Sequence, residues 1–150
     1  LALLQLGMSE SRRLGGTWAV PPEEFGAAVA RIIAGCVESG FEPIFLGMPP
    51  FDETRTRDFG RERASYLGAD RALYDAIVRE QAKAAGYRYV DVAAALSGLP
   101  LDEILDVDGL HVNALGHHMI HELVTPLVRS RIVELKGVAL AARAESPVLV

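Results

Sequence analysis

Asp108-Gly109-Leu110-His111-Val112-Asn113-Ala114-Leu115-Gly116-His117 places a carboxylate three residues before a histidine, across a glycine turn, at the mouth of an amphipathic helix. A carboxylate so placed can accept from the imidazole Nδ1–H and fix the tautomer, which leaves Nε2 free to take a proton from a nucleophile. Gly109 lets the chain turn sharply enough for the two side chains to meet. Asn113 is a good N-cap for the helix that follows.

Outward from this stretch, apolar runs alternate with amphipathic ones. The last helix starts at about Ala114, with Leu115, Met119, Ile120, Leu123 and Leu127 on one face, and Pro126 is expected to kink or end it. Residues 97–112 read as a loop that carries the acids and His111. Tyr87–Val92 reads as a strand, preceded by a helix from about Asp70 to Ala85 with Leu73, Ile77 and Val78 facing inward. Residues 51–63 form a charged segment without periodicity, read as a solvated loop in preference to a lid. Pro43–Leu46 is a buried strand stopped by Gly47-Met48-Pro49-Pro50. Pro21-Pro22-Glu23-Glu24 opens a helix that Gly40 ends, with Phe25, Val29, Ile32, Ile33, Cys36 and Val37 at helical spacing. Leu1–Leu6 has the length of a buried parallel strand, and residues 8–20 read as the loop at its C-terminal end. The tail 136–150 is expected to add a strand or to be loose.

Strands alternating with helices imply βαβ units, a parallel sheet and helices on both faces: a three-layer α/β/α sandwich, flavodoxin-like in outline. Sites in such sheets lie at the C-terminal ends of the strands. The loop after the first strand and the loop bearing His111 both fall there.

Of 150 residues, 50% are hydrophobic and 23% charged, which fits one globular domain. Fifteen Lys and Arg against 20 Asp and Glu give a net charge of −5 without a basic stripe, which argues against nucleic acid or an anionic membrane surface as main partner. No apolar run is long enough to span a bilayer. The single Cys36 cannot form an internal disulfide and falls in an apolar helix stripe, which points to an inert thiol and a reducing, cytoplasmic setting.

The block D-G-L-H-x-N-x-x-G-H resembles the last conserved block of the SGNH (GDSL-type) hydrolases, a family of serine esterases, lipases and deacetylases. The resemblance implies that Asp108 is the orienting acid and His111 the general base. The family's G-x-N-D block, whose asparagine donates to the oxyanion, aligns with Gly7-Met8-Ser9-Glu10, so Ser9 stands where asparagine is expected. A hydroxyl donates one hydrogen bond but reaches less far than a carboxamide. The family's nucleophile lies in a G-D-S motif, and this chain has none. The resemblance therefore covers residues 1 to about 128, and residues 1–135 are expected to be the C-terminal portion of such a domain, incomplete at its N-terminus.

The implied activity is hydrolysis of a small-molecule carboxylic ester through an acyl-serine intermediate, without metal or organic cofactor. Its nucleophile would come from missing N-terminal sequence. Gly7 and Ser9 would contribute to the oxyanion hole. The alternative is a non-catalytic SGNH-like binding or interaction module, which the missing G-D-S and Ser9 both favour. A third reading is a metal-dependent hydrolase using His117, His118 and His121. The zincin motif needs glutamate directly after the first histidine, and His118 stands there, so a solvated or partner-facing helix surface is preferred. Gly7-Met8-Ser9-Glu10-Ser11 also echoes a nucleophile elbow, but that motif needs a helix at once, and Arg12–Gly16 does not read as one. Asp102, Glu103 and Asp106 read as solvated acids, without the glutamate and spacing of a calcium loop. Trp18 is a candidate for the cleft or for its rim. An exposed first strand would leave an unpaired sheet edge and invite self-association.

Overall fold

The structure is a computed structural model, and it describes residues 1–144. The elements in chain order are β1 Ala2–Gln5, α1 Met8–Ser11, β2 Arg13–Leu14, β3 Thr17–Trp18, α2 Pro22–Glu38, β4 Pro43–Leu46, α3 Gly68–Ala84, β5 Arg88–Val90, α4 Val92–Leu96, α5 Leu101–Ile104 and α6 Ala114–Ala144. A parallel sheet runs in the order β1-β4-β5, with Leu3 opposite Ile44 and Phe45 opposite Tyr89. A two-stranded antiparallel hairpin, β2-β3, stands apart from it.

The alternation of side chains along a strand divides the interior in two. Phe45 of the central strand packs with Phe25 and Val29 of α2 and with Tyr74, Val78 and Ala82 of α3. Leu46, one residue on, packs with Val92 and Leu96 of α4, Ile104 of α5 and Met119, Ile120 and Leu123 of α6. Helices therefore cover both faces of a parallel sheet, as the alternating pattern predicts.

Several expectations are corrected. Residues 8–20 are not a plain loop. One turn of helix begins at Met8, where the Glu10 carboxylate accepts from the Gly7 amide at 3.1 Å, and the β2-β3 hairpin follows. Residues 97–112 contain α5 as well as loop. Leu73 of α3 is exposed, and the inward face of that helix is Asp70, Tyr74, Asp75, Val78 and Ala82. Ile32 and Val37 of α2 and Leu115 of α6 also face outward. β1 is an edge strand rather than a buried one: Leu4 packs inward and Leu3 is exposed.

α6 runs through Pro126 to Ala144, so residues 136–144 extend this helix instead of adding a strand, and residues 145–150 lie outside the described residues. Pro126 is exposed, so the carbonyl deprived of its intrahelical bond lies on the wet side, where water can satisfy it. Among the described residues no helix is long and apolar enough to cross a membrane.

Candidate active site

The turn 106–111 is built by short-range bonds. The Gly109 amide donates to the Asp106 carbonyl at 2.9 Å, and the Asp106 amide donates to the His111 carbonyl at 2.8 Å. A bridge between Leu105 and Val112 closes the loop below them. Gly109 sits at φ 73°, the left-handed region that favours glycine. Buried Ile104 and Leu105, with Val112, fasten the turn to the α4–α5–α6 core.

Asn113 locks the turn to α6. Its Oδ1 accepts from the amides of Leu115 at 2.9 Å and Gly116 at 3.0 Å, which are orphan donors of the first helical turn. Its Nδ2 donates to the carbonyls of Glu103 at 2.9 Å and Leu105 at 3.1 Å. One carboxamide thus caps the helix and holds the end of α5, a double role that the N-cap pattern alone does not reveal.

Within this frame His111 Nδ1 lies 2.6 Å from Asp108 Oδ2. Asp108 Oδ1 accepts from the amides of Leu110 at 2.9 Å and His111 at 3.0 Å. Burial pushes the Asp108 carboxyl up, but the His111 ring and the two amides outweigh it and hold the group at about 2. Asp108 is therefore a carboxylate at neutral pH. An ionised oxygen 2.6 Å from Nδ1 requires the proton on Nδ1, which leaves the Nε2 lone pair as the basic site.

A cleft of about 280 Å³ at the C-terminal edge of the sheet joins this turn to the loop after β1. It is lined by Gln5, Met8, Ser9, Pro49, Leu110, His111, Val112 and His117. Ser9 and His111 therefore share one cleft. Gly7 does not line it; its amide is directed to Glu10, so that N–H does not serve as an oxyanion donor in this structure. Gln5, Pro49 and His117 are cleft residues that the motif reading missed. Two signals were available: a lone amide in the apolar run Leu1–Leu6, and the position of Pro49 just past the C-terminal end of a parallel strand.

Other candidates fall elsewhere. Trp18 donates through Nε1 to Asp70 at 3.0 Å and lies beneath the Arg13 guanidinium, away from the cleft. Cys36 is half-buried on α2. His118, His121 and Glu122, all exposed on α6, bring one ligand atom each within 4.8 Å of the others, whereas His117 turns to the cleft.

The parallel sheet covered by helices on both faces matches the SGNH-hydrolase fold of solved structures. The chain is similar to the lipase/acylhydrolase of Enterococcus faecalis, with 19% identity and a TM-score of 0.70, over 86% of this chain and 60% of that one. It is similar to a GDSL-like lipase of Bacteroides thetaiotaomicron, with 14% identity and a TM-score of 0.64, over 86% and 62%. It is also similar to an acetyl-xylooligosaccharide esterase of Geobacillus, with 16% identity and a TM-score of 0.58, over 81% and 55%. The chain thus spans about 60% of the length of the first of these. The likeness is one of fold. No family model and no curated protein matches the chain.

Proposed function

We propose that this chain is the acid–base portion of a carboxylic-ester hydrolase that works through an acyl-serine intermediate. The observation that carries the reading is the 2.6 Å contact between His111 Nδ1 and Asp108 Oδ2, with the other ring nitrogen left unpaired beside a cleft. The names of the structural neighbours support the reaction class. The nucleophilic serine comes from sequence outside these 150 residues. Two features support that assignment: the free edge of β1 flanks the cleft, and the His111 side chain is 69% exposed, leaving room for a further wall.

In this scheme His111 Nε2 takes the serine proton as the serine oxygen bonds to the ester carbonyl carbon. It returns that proton to the departing alkoxide as the C–O bond breaks. Water then repeats the sequence on the acyl-enzyme. Asp108 holds the ring and stabilises the imidazolium. The Ser9 hydroxyl donates to the oxyanion. The ester is a small molecule, and no metal or organic cofactor takes part.

The test is serine labelling and ester turnover in the longer parent protein. His111→Ala is expected to lower kcat about 10⁵- to 10⁶-fold. Undiminished turnover in that variant would sink the base role. The alternative is a non-catalytic binding module. The specific observation that favours it is the Gly7 amide, which is directed to Glu10, beside a serine at position 9 where the family's asparagine is expected. An unlabelled parent protein that still binds esters would decide for it.

A further inference from the structure

The segment between β4 and α3 has no place in the scheme above, and its charged composition reads as a solvated loop. The structure shows it pinned at several points. Buried Thr56 donates to the carbonyls of Asp52 and Tyr66. The Phe51 and Tyr66 rings pack edge to face. Ser65 exchanges two backbone hydrogen bonds with Arg13, and Glu53 accepts from the Gly68 amide at 2.8 Å.

Between these anchors the strap lies on the Asp108–His111 turn. The Asp52 amide donates to the Gly109 carbonyl at 2.8 Å. The Arg55 side chain lies against Gly109 so closely that a Cβ built there would sit 2.7 Å from Arg55 Cβ and 2.9 Å from Nε. Its guanidinium then reaches both sides of the turn, donating through Nε to Asp52 Oδ2 at 2.8 Å and through Nη2 to Asp102 Oδ1 of α5 at 3.0 Å. Asp52 is itself braced by Thr54, whose amide and hydroxyl both donate to Oδ1.

We propose that Arg55 is a positioning residue: it clamps Gly109 between the strap and α5, and so fixes the Asp108 carboxylate against the His111 ring. The role rests on the acid–base reading above, but its geometry is independent of it. The turn's own bonds run from residue 106 to residue 111, and such a short hydrogen-bonded loop opens locally at low cost. The strap adds contacts from residues more than 40 positions away. A planar guanidinium can hold two carboxylates at fixed directions, which an ammonium cannot. The arrangement also accounts for glycine at 109 beyond its dihedral angle, because any side chain there would displace the arginine.

The test is amide hydrogen exchange by NMR on the 150-residue protein. The reporters are the amides of Leu110 and His111, which donate to Asp108, and that of Asp52, which donates to Gly109. In Arg55→Ala these three are expected to exchange about tenfold faster, while Phe45 in the central strand keeps its wild-type rate. Arg55→Lys should give a smaller acceleration at the same three. Asp102→Ala, on an exposed residue, removes only the outer contact and should also accelerate them, without risk to the core. Wild-type rates at the three amides in Arg55→Ala would overturn the proposal. So would equal acceleration at Phe45, which marks general destabilisation. An inert parent protein, with the expected exchange pattern in the 150-residue chain, would remove the hydrolase reading and keep the clamp; an active parent without that pattern would do the reverse.

Discussion

The two walls of the cleft are built differently. On one wall, the Asp108 side chain accepts three hydrogen bonds, the Asn113 side chain makes four, and Gly109 is held on its carbonyl and its α-carbon. On the other, Ser9 is an exposed residue on a single turn of helix, and the adjacent Gly7 amide is turned to Glu10. The first wall holds a proton acceptor in one orientation without help from substrate. The second presents a hydroxyl at a strand end and leaves the rest of an oxyanion site to other groups. On the proposed mechanism, preorganisation is therefore concentrated where the proton would move, which is where a fixed tautomer matters most.

The sharpest way to break this contrast is to keep the first wall's shape and change its charge. On the proposed mechanism, Asp108→Asn in the longer protein should lower kcat about 10⁴-fold, because an amide no longer fixes the Nδ1–H tautomer. Steady-state kinetics on a nitrophenyl ester read this directly, and a loss under tenfold would mean that the turn orients the ring without the carboxylate. On the second wall, Ser9→Ala should cost about a hundredfold in kcat if its hydroxyl is an oxyanion donor. Unchanged kcat would place the oxyanion donors elsewhere and sharpen the difference between the walls.

Much of the first wall can be read from sequence because it is local. Asp108, Gly109, His111 and Asn113 lie within six residues, and the bonds that orient Asp108 and His111 and cap α6 span two or three positions. The second wall and the strap are not legible in this way. Gln5 reaches Gly47, and Arg55 reaches Asp102, across more than 40 residues each. The strands show in their apolar runs, and α2 shows in its Pro-Glu-Glu start. α3 misled the reading because Asp70 and Asp75 turn inward. Asp70 takes a two-point contact from Arg13, and Asp75 accepts from the Met48 amide, so charge alone did not mark the wet face. α1 was missed because it is a single turn started by Glu10 capping Gly7.

Stability measurements extend the comparison to the chain as it stands. Gly109→Ala combines a left-handed backbone with a 2.7 Å approach to Arg55, and should cost about 1–3 kcal/mol in urea unfolding. A loss below a few tenths would show that the turn is looser than described.

The smallest effect is with pH. The Asp108 carboxyl is held at about 2 in the folded chain, against about 3.9 in an unfolded one. Its contribution to stability is therefore fully present above about pH 4 and is lost as pH falls from there towards 2. The side chain is 32% exposed, so solvent screens part of this term. Acid titration of the wild-type chain against Asp108→Asn should show a stability difference that is constant above about pH 4 and shrinks only within that window.

The account turns on which nitrogen of His111 carries the proton. Nitrogen-15 NMR of the imidazole at a pH where it is neutral answers this for the 150-residue chain, independent of substrate. The account predicts the Nδ1–H tautomer, with Nε2 as the free acceptor facing the cleft. The Nε2–H tautomer, or an even mixture of the two, would contradict it, because Asp108 would then not be preparing His111 as a base.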